Sequence, residues 1–396
     1  MYAFRKPFSV GVYENLFLWG LDYKIILISS QVLGYMLSKF IGIKVVSELK
    51  HNKREMTILF LILFSFLSLF LFGITPFPYN FIWMFFNGLP LGMIWGIVFS
   101  YIEGKKNTEL LGAGMSASFI LSSGIVKSIG KYFLEELHFS EFWMPFITAA
   151  VFIPLLLLGV FMLKKIPKQD EDDIILRSER APMNAKERKS FLFEFFPGVI
   201  YIVIIYIILT IYREIRDNFS VEIWTAIGYK NTSRILLYSE IPIAIVVFAI
   251  ISFMIFIKNN KLAFFSNMFM ILLGGLFLIL STLLMQFKFI SPTLWMVFVG
   301  FSMYLSYISF HTMFFERWIA LFRCKSNIGF LMYVADSFGY LGSVSVLFYK
   351  NFINLKMNWF SFLVSLSYFF GGIIILLSVI SWRYFFMKVK EKQYLN

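Results

Sequence analysis

Cysteine and histidine are almost missing from this chain. Cys324 stands alone, so neither a disulfide framework nor a thiolate metal cluster can form within it. The three histidines, His51, His138 and His311, lie far apart and make no metal-ligand spacing, so no metal site is expected. Charge is scarce as well: 15% of the 396 residues are Asp, Glu, Lys or Arg, against about a quarter in a soluble domain. No Walker A loop occurs, which excludes an ATP-driven motor within these residues. No cleavable signal peptide is visible at the start.

What is present is apolar. Hydrophobic residues make up 59% of the chain and aromatics 20%, including 51 Phe, and the mean hydropathy is +0.77. That excess of apolar surface excludes an ordinary soluble enzyme, and the aromatic content excludes disorder. An all-α polytopic membrane protein fits, and at roughly 33 residues per span and loop the length allows about twelve spans. In a soluble protein the net charge of +13 would point to nucleic acid. Here basic loops that fix membrane topology explain it, and no nucleic-acid partner is expected.

Apolar runs predict spans near 23–48, 56–74, 81–102, 109–133, 142–164, 193–222, 233–257, 262–287, 291–317, 327–349 and 359–386. Residues 1–16 read as a stub of a further helix. A full span needs about 20 apolar residues, yet Arg5-Lys6 arrives at once, so either the true start lies upstream of Met1, which is the expectation, or half a helix has been lost. The polar stretch from Lys164 to Ser190 includes the acidic run Asp170–Asp173 and Lys168, Arg177 and Arg180. It reads as a linker, since about 27 residues cannot bury a core. The expected division is an N-terminal bundle over 1–164, a linker over 165–191 and a C-terminal bundle over 192–396, about six spans each. Lys50, Lys53, Arg54, Lys105, Lys106, the linker, Lys258, Lys261, Arg323, Lys325 and Lys388–Lys392 carry the loop charge, while 75–80 and 138–141 carry no Lys or Arg. Both termini are therefore expected in the cytoplasm of an inner-membrane, multi-pass protein.

Charged groups inside spans are costly and tend to line pathways or form structural pairs. They are Arg5, Lys6, Lys39, Lys44, Lys127, Arg213, Glu214, Arg216, Asp217, Glu240, Glu316, Arg317 and Asp336. Arg5-Lys-Pro-Phe8 and Arg216-Asp-Asn-Phe219 echo one another at equivalent places in a six-plus-six arrangement. An arginine from each half then faces one anion, which a planar guanidinium grips with two donors. Alternatives stay open. Arg213 and Asp217 stand four apart and can pair within one helix. Glu240, Glu316 and Asp336 can be counter-ions or proton carriers, and Lys127 sits too deep to snorkel easily.

Tyr35-Met-Leu-Ser38-Lys39-Phe40-Ile41, followed by Ser47-Glu48 and the basic Lys50–Arg54, resembles the second span of the organophosphate:phosphate antiporters of the major facilitator superfamily. Tyr2-Ala-Phe-Arg5-Lys6-Pro-Phe8, Asn87-Gly88-Leu-Pro90, Ile241-Pro242 and Phe338-Gly339-Tyr340-Leu341-Gly342 continue the likeness, which also extends to an uncharacterised facilitator-like family of bacterial membrane proteins. The resemblance implies a facilitator fold of two six-helix bundles, the first helix being cut short. It implies Arg5 as one phosphate ligand, Arg216 or Arg213 as the other, and Tyr2, Tyr35, Lys39 and Tyr340 around them. Ser122, Ser123 and Lys127 replace the family's histidine, and Leu89 its tryptophan. The expected function is secondary transport of a small organic anion, in a monomer without cofactor. The runner-up is an anion sensor of the same fold without flux. A membrane enzyme needs a convergent constellation that the scattered histidines do not offer.

Overall fold

In lipid every backbone N–H and C=O needs an internal partner, so long apolar runs resolve into helices. A computed structural model describes residues 1–46, 49, 51–102, 108–167, 185–254, 256–322, 328–352 and 357–395. Ser47-Glu48, Lys50, Lys105, Lys106, Lys168–Arg180 and Arg323–Lys325, with the loop charges and linker expected there, lie outside the described residues.

After two 3-10 turns, Tyr2–Phe4 and Pro7–Val10, a two-residue hairpin pairs β1 (Phe17–Leu18) with β2 (Leu21–Asp22), with Phe17 opposite Asp22. The helices are α1 (Tyr23–Val45), α2 (Arg54–Ile74), α3 (Phe81–Ile102), α4 (Thr108–Glu135), α5 (Met144–Val151) and α6 (Ile153–Lys164). Then come α7 (Ala185–Glu194), α8 (Phe196–Asn218), α9 (Ser220–Ile227), α10 (Ile235–Tyr238), α11 (Glu240–Met254) and α12 (Asn260–Gln286). Next is α13 (Pro292–Ser309), which runs through a π turn at Phe310–Phe314 into α14 (Phe315–Phe322); α15 (Ile328–Phe352) and α16 (Trp359–Leu395) end the order. Among the described residues, ten helices, or eleven if the bent α5–α6 pair is one span, are long and apolar enough to cross a membrane. The chain is a multi-pass membrane protein.

The expected stub over 1–16 is not α-helical. Pro7 lacks the N–H that an α-helix would use there, and carbonyls exposed by the short turns find partners from other helices. Asn87 on α3 donates to Phe4 O at 3.0 Å, and Gln31 on α1 donates to Arg5 O at 3.0 Å. The same Gln31 donates to Asn87 Oδ1 at 2.7 Å, and Asn87 also reaches Ser65 on α2. One buried amide pair thus hangs the Arg5 turn from three helices. The expected single span over 142–164 is bent by 45° between α5 and α6, because Pro154 near the start of α6 cannot continue the hydrogen-bond ladder. The last helix runs to Leu395, past the expected 386.

Packing brings helices before residue 168 together with helices after residue 184. α1 lies on α3 so closely that a Cβ at Gly34 would fall 2.1 Å from Phe85 O, and one at Gly88 equally close to Gln31 O. α8 packs on α15 and α16. Between these two sets of helices, α1 packs on α15 and α4 packs on α10 and α11.

Candidate functional site

The turn carrying Arg5 and Lys6 lies against one face of α8. With 3.6 residues per turn, Tyr206, Thr210, Arg213, Glu214 and Asp217 fall within about 100° of one another around that helix. Arg5 donates to Glu214 Oε1 at 3.4 Å and Arg213 to the same oxygen at 2.7 Å. Lys6 reaches Glu214 Oε2 at 3.3 Å, Asp217 at 2.5 Å and Asn218 at 3.0 Å. Lys127 on α4 closes the far side on Asp217, also at 2.5 Å, and Ser123 adds a bond to the same carboxylate. All these groups are buried. Four cations, Arg5, Lys6, Lys127 and Arg213, thus share two carboxylates, Glu214 and Asp217. Two positive charges have no opposite partner in this cluster among the described residues.

Tyrosines hold the arginines without neutralising them. The Arg5 guanidinium lies 4.1 Å from the Tyr35 ring and 5.3 Å from that of Tyr340. Arg213 lies 4.4 Å from the Tyr307 ring and donates to Tyr340 O–H at 2.8 Å. Tyr340 therefore stands between the two arginines, and ring faces stabilise buried cations. Arg5 Nε is buried and has no hydrogen-bond partner among the described residues. Tyr2, Arg5, Tyr35, Lys39, Arg213 and Tyr340 all line one small cavity, with Trp95, Tyr307, His311 and Asp336. Its volume is about 20 Å³, room for roughly one water.

The expected partner of Arg5 is corrected. Arg216 is not among the residues lining this cavity. Three residues turn a helix by about 300°, a net offset of about 60°, which puts Arg216 beyond Arg213 and outside the arc that Tyr206, Thr210, Arg213, Glu214 and Asp217 share. It donates to Glu240 Oε1 on α11 at 2.9 Å and to Met296 O on α13 at 3.2 Å. Gly300 leaves room for it: a Cβ there would fall 2.6 Å from the guanidinium. Arg216 ties α8, α11 and α13 together, and Glu240 is its counter-ion. The intrahelical pair of Arg213 with Asp217 does not form either, because Asp217 is taken by Lys6 and Lys127. Lys127 acts on the cluster from outside the cavity lining. Glu316 is buried at the start of α14, away from the cavity lining.

Asp336 on α15 holds Lys39 on α1 at 2.7 Å. The sequence spacing isolates His311, but the fold does not. Its Nε2 lies 2.9 Å from Tyr206 O–H, which donates to Asp336 Oδ1 and lies 3.2 Å from Tyr307 O–H. Glu214, Tyr206, Tyr307 and His311 were not expected in the site. Their helical spacing was the available signal: Tyr206 is seven residues before Arg213, and Tyr307 four before His311.

Residues 7–388 match the sequence profile of a family described as a family of unknown function (DUF5690). The chain belongs to this family. No curated protein matches it in sequence. Among solved structures, the chain is similar to the major facilitator superfamily proton:xylose symporter XylE bound to 6-bromo-6-deoxy-D-glucose, with a TM-score of 0.61 and 14% identity over 96% of this chain and 93% of that one. A D-xylose-proton symporter gives a TM-score of 0.60 at 13% identity, covering 96% and 94%. The human organic anion transporter MFSD10 (TETRAN) gives 0.59 at 13%, covering 90% and 83%. At such identities the likeness speaks to fold, and the fold of this family member is that of the major facilitator transporters.

Proposed function

We propose that the protein is a secondary transporter that moves a small organic anion across the inner membrane by alternating access. The observation that carries this reading is the buried cluster in which Arg5 and Arg213, from opposite sides of the linker, share Glu214 beside one cavity. Two unmatched positive charges buried among tyrosines are costly unless an anion offsets them. A substrate with about two negative charges, such as a phosphate monoester or a dicarboxylate, completes the balance. Guanidinium forks favour the planar or tetrahedral oxyanion of either group.

The closed cavity is too small for such a molecule, so admission requires the halves to part. Two inter-half ion pairs sit at opposite ends of α1. Lys24 bonds Glu222 on α9, and Lys39 bonds Asp336 on α15. Fifteen residues separate the two lysines, about 22 Å along the helix. Opening one pair while the other stays shut exposes the arginines to one side at a time. Substrate biases the exchange by bonding the arginines in place of Glu214. In this reading the bundles are 1–164 and 192–396, both termini and the linker face the cytoplasm, and the monomer suffices.

The test is counterflow uptake into proteoliposomes with labelled inorganic phosphate, a phosphate monoester, a dicarboxylate and a neutral sugar. The reading expects flux of at least one anion that Arg213→Lys reduces. Binding of an anion without flux would favour a sensor, and flux of the sugar alone would overturn the anion assignment.

A further inference from the structure

The proposed transport cycle uses Asp336 as the partner of Lys39 but gives no role to Tyr206 and His311, and the geometry of the three carries a coupling device. His311 lies on the π turn at Phe310–Phe314, the kind of local widening that recurs at functional positions. Tyr206 on α8 bridges it to Asp336 on α15. Asp336 in turn holds Lys39 across the interface between the halves. His311 and Asp336 face Lys39 and Tyr35 from α1, Trp95 from α3, Arg213 and Tyr206 from α8, Tyr307 from α13, and Tyr333 and Tyr340 from α15.

Hydrogen counting fixes the proton inventory. Tyr206 has one hydroxyl hydrogen, and the ionised Asp336 beside Lys39 takes it. The Tyr206 oxygen is then an acceptor, so the neutral His311 carries its hydrogen on Nε2 and donates it there. His311 Nδ1 is left with a lone pair. It is buried and has no hydrogen-bond partner among the described residues, while its ring lines the central cavity.

We propose that the relay His311–Tyr206–Asp336 couples anion movement to a proton, making the protein a proton–anion symporter. A proton from cavity water adds to Nδ1 of His311. The hydrogen on Nε2 passes to the Tyr206 oxygen, and the original Tyr206 hydrogen passes to Asp336 Oδ1. One proton enters, one carboxylate becomes neutral, Tyr206 is regenerated, and His311 ends in its other neutral tautomer. No electron moves and no further reactant is used. The neutral Asp336 no longer pairs with Lys39, so a buried cation loses its counter-ion and the α1–α15 contact loosens. Lys39 meanwhile lines the anion cavity, so proton and anion each favour the other's binding, a reciprocal coupling.

This inference rests on the anion-transport reading, but its test needs no anion. Cys324 is replaced by serine, and spin labels are placed on exposed Ile41 of α1 and Leu341 of α15 through I41C and L341C. Inter-label distances are read by pulsed electron paramagnetic resonance from about pH 8 to about pH 3, a span that covers the ordinary ranges of both histidine and carboxylate. The wild-type relay should show a longer-distance population growing as pH falls. D336N, fixed in the neutral form, should show that population at every pH. H311Q keeps an amide for Tyr206 but cannot carry the proton; after a rapid drop in pH, in samples frozen at set times, its longer-distance population should appear at least about tenfold more slowly than in the wild type. A wild-type distance that ignores pH, or an H311Q time course that overlays the wild type, would overturn the relay even if D336N fails to fold. Either result would leave the anion reading to the counterflow test.

Discussion

Glu214→Gln probes the cluster at its hub. The Glu214 carboxylate accepts from Arg5, Lys6, Arg213 and Asn218, and it is 2% exposed. Glutamine keeps the shape and removes the charge, raising the unmatched positive charge of the cluster from two to three. Neutralising one member of a buried ion pair costs about 3–5 kcal/mol of stability, so the ligand-free protein should unfold at markedly lower temperature. The same change frees Arg213, which holds Glu214 at 2.7 Å, for an incoming anion. One charge-assisted bond made available to a ligand corresponds to about 1.5–3 kcal/mol, or roughly ten- to a hundredfold in affinity. Thermal unfolding of the purified protein with and without inorganic phosphate reads both effects. The variant should start lower and gain more from phosphate than the wild type. A variant that loses stability while its response to phosphate stays flat or weakens would refute the idea that Glu214 stands in for the substrate.

The two α8 arginines should separate cleanly by isothermal titration. Arg213→Lys should weaken phosphate binding by about 1–3 kcal/mol, since lysine keeps the charge but loses the fork, whereas Arg216→Lys should lower stability and leave affinity nearly unchanged. Gly96→Ala should disturb the contact between α3 and α15, because its Cβ would fall 2.1 Å from the Tyr333 hydroxyl. Overpacking of that kind costs about 1–3 kcal/mol, and adding Tyr333→Phe, which removes the clashing oxygen, should restore part of the lost melting temperature. Lys24→Gln and Lys39→Gln should each raise alkylation of cysteines placed near that lysine, and from opposite sides of the membrane; labelling from one side in both variants would remove the two-gate account.

Much of the span pattern was legible because apolar length is a one-dimensional signal. Runs near 81–102 and 262–287 became α3 and α12 with ends shifted by no more than two residues. The Arg5 turn was not legible as a turn, because its unpaired carbonyls depend on Asn87 and Gln31, far away in sequence. The choice between Arg213 and Arg216 stayed open for a similar reason. Both are arginines on one helix, and only the neighbouring α11 and α13, with the gap at Gly300, decide which faces Glu240. His311 was hidden because Tyr206 and Asp336, which give it a setting, lie on other helices. Polar residues on α8 were visible as charges; that they converge with Lys127 of α4 is a tertiary fact.

The central claim is that one anion reaches arginines from both halves. A double-mutant cycle on phosphate binding with Arg5→Ala, Arg213→Ala and the pair tests it most directly, since groups that share a ligand couple by about 0.5–3 kcal/mol whereas distant sites add within about 0.5 kcal/mol. The account predicts that the double variant loses less than the sum of the two single losses. Strictly additive losses, or a single variant that binds as the wild type does, would contradict it.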